Sequence, residues 1–189
     1  MNENELLELM AELGALHRGH FVLSSGLHSD TYFQCARVLQ YPELARELGR
    51  LLAERFDPGD CDFVISPALG GILIGHEFAR GIGRRCLFTE RVGGAMTLRR
   101  GFAIEPHEKA IVVEDVVTRG TSTREVARVV TEAGGVVQGV AAIVDRTGGT
   151  AELPAPLQAL ARVEAVAWEP SACPLCAAGS PVVKPGSRG

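Results

Sequence analysis

Two adjacent carboxylates followed by hydroxyls and a glycine make the most chemically pointed stretch of this chain. It reads Ile111-Val112-Val113-Glu114-Asp115-Val116-Val117-Thr118-Arg119-Gly120-Thr121-Ser122. The apolar run is expected to be a buried strand, and the carboxyl end of a strand in an open parallel sheet is where ligands bind. The backbone N–H groups of residues 118–122, with the hydroxyls of Thr118, Thr121 and Ser122, can wrap a phosphate. A helix beginning near Ser122 would add its positive N-terminal end. Glu114 and Asp115 repel phosphate, so they need another target, either ribose hydroxyls or a Mg²⁺ ion shared with the ligand. No Gly-Lys-Ser/Thr is present, which excludes the nucleoside-triphosphate P-loop, and one glycine is too few for the dinucleotide fingerprint. A plain strand, turn and capped helix is the competing explanation. The acid pair, the threonine and the serine at set offsets from one buried strand weigh against it.

The elements that must hold this stretch can be read from periodicity. Residues 2–13 place Leu6, Leu9, Met10 and Leu13 at helical spacing, and Gly14 stops that helix. Residues 21–23 read as a short strand, Ser24-Ser25-Gly26 as a turn and residues 31–35 as a second strand. Pro42 opens a helix with Leu44, Leu48, Leu51, Leu52 and Phe56 on one face. Strands and helices then alternate, with strands at 62–66, 85–89, 110–113 and 136–144 and helices at 71–79 and 121–133. Residues 90–106 show no convincing period and carry Arg91, Arg99 and Arg100. Strands apolar on both faces and separated by single helices imply an α/β fold with a mostly parallel central sheet flanked by helices. A last strand is expected within 163–168. The tail, 170–189, is rich in Pro, Gly and Ser and is expected to be poorly ordered at its end.

Composition narrows the function classes. Of 189 residues 46% are apolar and 22% charged, as in an ordinary globular protein of one domain. The net charge of −4 gives no bulk attraction to nucleic acid or anionic membrane. No apolar run reaches the ~18–20 residues of a membrane span. The acidic start, Met1-Asn2-Glu3-Asn4-Glu5, lacks the basic and apolar regions of a signal peptide, so a cytoplasmic location is expected. Five cysteines, three of them in or beside apolar segments, read as free thiols in a reducing compartment. Cys173-Pro174-Leu175-Cys176 is a C-x-x-C pair. A zinc site there would need two more ligands, from a distant Cys or His or from a second copy, and no second pair is evident. The five histidines are scattered, and each reads as a surface or packing residue.

The central stretch resembles the 5-phosphoribosyl-1-diphosphate (PRPP) signature of type I phosphoribosyltransferases: an apolar run, two acids, two apolar residues, Thr, any residue, Gly, any residue, Ser or Thr. Residues 21–33, from Phe21 through Ser24-Ser25-Gly26 to Tyr32 and Phe33, resemble the N-terminal hood of the orotate-specific members. Ser66-Pro67-Ala68-Leu69-Gly70-Gly71-Ile72 is similar to that family's diphosphate loop. Val144-Asp145-Arg146 is similar to the strand end from which an arginine reaches the orotate carboxylate. The resemblance covers residues 15–150 and implies the type I fold, with a hood over 1–40, a core over 41–150 and a C-terminal strand and tail over 151–189.

It further implies PRPP contacts from Glu114, Asp115, Val116, Val117, Thr118, Arg119, Gly120, Thr121, Ser122, Leu69 and Gly70. Thr118 and Arg146 would bind orotate, and Asp115, Glu114 and Arg91 would be catalytic. Mg²⁺ would be carried by PRPP rather than by protein ligands. A homodimer is implied as well, with the loop at 90–106 reaching the neighbouring active site. That loop departs from the family pattern: residues 90–101 contain no Lys or His, so Arg91, with Arg99 or Arg100, would have to supply the cations. A purine- or uracil-specific relative and a non-catalytic PRPP-sensing regulator are the alternatives.

Overall fold

The computed structural model describes residues 1–23, 26–164 and 166–185. Helix α1 (Glu3–Glu12) is opened by Asn2, whose side chain accepts from the Glu5 amide while Glu5 bonds back to the Asn2 amide. Strands β1 (Leu16–Val22) and β2 (His28–Phe33) form an antiparallel hairpin. Helices α2 (Ala36–Leu39) and α3 (Pro42–Ala53) follow, the latter starting on the expected proline. The alternating part runs β3 (Phe63–Pro67), α4 (Gly70–Ile82), β4 (Arg85–Val92), β5 (Ala95–Leu98), β6 (Lys109–Val117), α5 (Thr121–Glu132) and β7 (Val136–Asp145). Strands β8 (Leu157–Arg162) and β9 (Ala167–Trp168) and a short helix α6 (Pro174–Ala177) complete the chain.

Six strands form the central sheet in the order β5-β4-β3-β6-β7-β8. All neighbours are parallel except the β4–β5 hairpin. Alternation of side chains divides the core between the two faces. Val64, Ile111 and Val113 pack with Leu48, Leu52, Ile74 and Phe78 on one face. Phe63, Ile65 and Val112 pack with Val126 and Val130 of α5 on the other. A second, three-stranded sheet, β1-β2-β9, forms the hood, and its third strand comes from the far end of the chain. No helix of the described residues is long and apolar enough to cross a membrane.

Several boundaries differ from the sequence reading. The first hood strand begins at Leu16 rather than 21, and the second occupies 28–33 rather than 31–35. Ser24 and Ser25, expected in the turn, lie outside the described residues. The stretch 90–106 is not featureless: β4 continues to Val92 and turns back into β5 through Gly93 and Gly94, both at positive φ. Glycine pairs of this kind suit the two-residue hairpin turn whose twist matches the strands. The strand expected at 110–113 runs on to Val117, so both acids belong to it. No single strand spans 163–168. Instead β8 closes the central sheet at 157–162 and β9 joins the hood. The tail is built into the fold as far as Val183, which exchanges backbone bonds with His20 and Val22. Residues 186–189 lie outside the described residues.

Helices α3 and α4 cross closely at Gly49, where an added Cβ would sit 2.5 Å from the Glu77 carbonyl carbon. Alanine favours a helix over glycine by ~1 kcal/mol, but here it would force one backbone off another. Gly49→Ala is therefore expected to destabilise the protein by about 1–3 kcal/mol, and a urea unfolding curve measures it. A more stable variant would contradict this crossing.

Candidate active site

The site is set by β6, which is bonded on both sides, to β3 and to β7. Because successive side chains point to opposite faces, the acid pair is split. Glu114 shares the face of Val112 and turns toward α5, where it accepts a hydrogen bond from the Thr123 hydroxyl. It is 7% exposed, and burial, with the nearby Asp115 charge, pushes its carboxyl up to about 7 against the Thr123 bond. Asp115 shares the opposite face and lies against the first turn of α4. A Cβ on Gly70 would lie 2.8 Å from both of its carboxylate oxygens, so the turn approaches the acid only because residue 70 is glycine. Burial raises the Asp115 carboxyl above its usual range. Asp115 and the Leu69-Gly70 turn, distant in sequence, are thus brought together at one strand end, while Glu114 faces α5.

Beyond Val117 the chain leaves the sheet through Thr118 and Arg119 and enters α5 at Gly120, whose φ of +67° is a left-handed conformation that glycine tolerates. No side chain caps α5, so the amides of its first turn face outward without an internal acceptor. An uncapped, hydroxyl-rich helix start is a ready anion site. Arg124 braces this turn by donating to the Arg119 and Glu152 carbonyls at 2.9 and 3.0 Å.

A cavity of about 1060 Å³ lies between these strand ends and the hood. Val116, Thr118 and Arg119 line it from below, and Tyr32 and Phe33 line it from the hood. Arg146 also lines it, from the turn after β7. Its Nη2 donates to the Ser29 hydroxyl and the Thr31 carbonyl, each at 3.2 Å, and its guanidinium lies over the Phe33 ring. Its Nε is buried without a partner. Burial works against its charge, and Asp30 only partly offsets this. A desolvated guanidinium with an unused donor invites an anionic ligand.

Arg91 is not brought to this cavity. It bonds Glu125 of α5 and the Gly94 carbonyl of its own hairpin. Arg100 is held by Glu90, whereas Arg99 has no ion-pair partner among the described residues. Arg124 and Lys184 line the cavity without having been singled out in the sequence. Arg124 carried a usable signal, since it sits one turn into the helix that follows the phosphate-type loop. Lys184, in the tail, carried none.

A six-stranded, largely parallel sheet with a small hood above a β6–α5 anion turn is the architecture of the phosphoribosyltransferases. The solved orotate phosphoribosyltransferase of Aeropyrum pernix superposes with a TM-score of 0.71 at 26% identity, covering 84% of this chain and 94% of that one. An adenine phosphoribosyltransferase from Rhodothermus marinus shares the fold with a TM-score of 0.67 at 20% identity, covering 85% of this chain and 99% of that one. The curated orotate phosphoribosyltransferase of Desulforamulus reducens is 50% identical over 188 residues, spanning 100% of this chain and 98% of the relative. No protein-family model matches the chain. The chain belongs to the orotate phosphoribosyltransferase family.

The Glu114 carboxyl gives a pH test. Its ordinary value of 4.5 rises to about 7 on folding, so between those values the folded state keeps a proton that the unfolded chain has released. Stability contributed by this group is therefore present below about pH 4.5 and is lost as pH rises toward 7. Glu114→Gln should flatten that decline by on the order of 2 kcal/mol. Urea unfolding at pH 5 and pH 8 reads it, and identical declines in both proteins would contradict the assignment.

Proposed function

We infer that the chain transfers the 5-phosphoribosyl group from PRPP to orotate, giving orotidine 5′-monophosphate and diphosphate, a step of pyrimidine nucleotide synthesis. The observation that carries this reading is Arg146, half-buried at the wall of the cavity that Thr118 also lines, with an unpartnered buried Nε. Orotate is a planar anion, and a guanidinium fork matches its carboxylate. The family relationship of the full chain supports the same substrate.

The chemistry then follows from position. The 5′-phosphate would sit on the amides and hydroxyls from Thr118 to Ser122. The diphosphate would lie at the Leu69-Gly70 turn, whose amides begin α4. Ribose hydroxyls between these two anchors would donate to Asp115 and to the Glu114 oxygen not engaged by Thr123. Bond cleavage at the anomeric carbon develops oxocarbenium character. The Asp115 carboxylate, joined by Glu114 when that group is ionised, stabilises that positive charge, and the fixed amides hold both anionic ends in place. With Glu114 committed to Thr123, Asp115 is the single carboxylate best placed on this edge. That suits a Mg²⁺ ion held chiefly by PRPP oxygens. The ion would neutralise the departing diphosphate.

The turn of the β4–β5 hairpin, residues 91–95, is exposed, and the Arg99 side chain beyond it makes no hydrogen bond or ion pair among the described residues, so this tip can serve a site other than its own. A homodimer in which each hairpin covers the partner's diphosphate agrees with Arg91 being tied to its own α5. Closure of this kind would exclude water and favour transfer to orotate over hydrolysis.

Two variants test the reading, with the absorbance of orotate followed in the presence of PRPP and Mg²⁺. Asp115→Asn should lower turnover by about 10²-fold or more with the far-ultraviolet dichroism unchanged, and near-normal activity would remove Asp115 from the mechanism. Arg146→Ala should raise KM for orotate by roughly 10–100-fold, as expected for losing a charge-assisted bond, with KM for PRPP little changed. Equal rises in both would remove its role as the orotate anchor.

A further inference from the structure

The hood holds a second cluster of reactive side chains, away from the cavity and unused by the reaction above. His20 on β1, His28 on β2, and Cys173 and Cys176 around α6 bring four donor atoms within 4.8 Å of one another. His20 Nε2 lies 2.8 Å from His28 Nδ1, 3.5 Å from the Cys173 sulfur and 3.7 Å from the Cys176 sulfur. The Cys176 sulfur is 3.2 Å from His28 Nδ1. Four ligands at ordinary zinc–nitrogen and zinc–sulfur lengths occupy a tetrahedron with edges of about 3.3–3.8 Å. Four of the six donor–donor edges run from 2.8 to 3.7 Å and none exceeds 4.8 Å, so side-chain adjustments on the ångström scale bring the donors to that tetrahedron.

Its surroundings also suit a metal. His20 Nδ1 lies 2.9 Å from the Ser180 carbonyl, which can only accept, so the proton of the neutral ring belongs there. Nε2 is then a lone pair directed into the cluster, the arrangement seen around metal-bound imidazoles. His20, His28 and Cys173 are buried, and Cys176 alone is exposed and leaves a path for an ion to enter. Two thiols with two imidazoles select a soft or borderline tetrahedral cation over Mg²⁺ or Ca²⁺. The sequence reading left a distant Cys or His open as the further ligands, and His20 and His28, both buried, are the residues that meet the cysteines. The missing pair lies about 150 residues upstream and reaches the cysteines only because the tail folds back onto the hood.

We propose that His20, His28, Cys173 and Cys176 bind one structural Zn²⁺ that clamps the C-terminal segment to the hood. The tail is also joined to the hood by the two-residue strand β9, by the backbone bonds of Val183, and by the contacts of Ser29 with the Val166 carbonyl and of His20 with the Ser180 carbonyl. A bond joining residues this far apart in sequence removes much unfolded-chain entropy. The clamp acts on β2 itself, since His28 adjoins Ser29, the residue whose hydroxyl holds Arg146.

Metal content decides the matter independently of catalysis. Full-length protein, free of any polyhistidine tag and purified with a thiol reductant, is expected to contain about one zinc per chain by plasma mass spectrometry. A mercurial should release that zinc to a colorimetric chelator. Cobalt exchanged into the site should show the visible bands of a tetrahedral, thiolate-ligated ion. Cys176→Ser and His28→Ala should each lose the metal and melt several degrees lower, and a strong zinc chelator should lower the melting temperature of the parent protein alone. Reduced protein that takes up no stoichiometric zinc from a zinc buffer would overturn the proposal. So would a Cys173–Cys176 disulfide found by mass spectrometry in protein isolated from the cytoplasm under thiol-blocking conditions.

Discussion

Pairing on both edges fixes β6, and the alternation of its side chains then decides where every group after Val113 points. One acid goes to each face of the sheet. Glu114 is committed to α5 through Thr123, and Asp115 is committed to the start of α4 through its contact with Gly70. The strand edge therefore carries negative charge, while the two helix starts on either side present amides. A ligand with hydroxyls in the middle and anions at both ends matches that distribution. Little side-chain movement is needed to bind it, because the positions are set by ladder hydrogen bonds and by the packing of Val64, Ile111 and Val113 on one face and Val112 on the other.

The same logic extends to the cavity wall. Arg146 follows directly on β7, its amide bonded to the Val117 carbonyl, so the Arg146 wall and the turn into α5 are registered against each other by one inter-strand bond. The hood supplies the other wall through Ser29, Thr31, Tyr32 and Phe33. Burying a guanidinium costs free energy unless it is paired. Ser29 and the Thr31 carbonyl offset part of that cost, and the Nε donor is left without a protein partner.

Much of this was legible in the sequence because the signals were local. The buried strands, the helices starting at Pro42 and Thr121 and the turn between β6 and α5 follow from short patterns whose residues touch near neighbours, whereas Arg146 stood out only through the family resemblance. The reading failed where charge or distance hid the pattern. Two acids inside a strand look like the end of that strand, so β6 was cut short at Val113. The Gly93-Gly94 hairpin was readable from its turn chemistry, but the surrounding arginines made it look like a loop. Strand β8, with Gln158 and Arg162 at a sheet edge, lacks the continuous apolar run of a central strand. Neither the pairing of β9 with β2 nor the meeting of His20 and His28 with the two cysteines has any local signature, since each joins opposite ends of the chain.

That joining of ends bears on how the molecule comes into being. The central sheet can assemble as soon as its strands have left the ribosome. The hood hairpin, made first, lacks its third strand until residues 167–168 emerge, and Val183 arrives later still. During synthesis the wall that holds Arg146 is left with an unpaired edge. The complete cavity wall is therefore among the last features the nascent polypeptide acquires, and a chain that stops before residue 167 would form the core but leave the hood without its third strand.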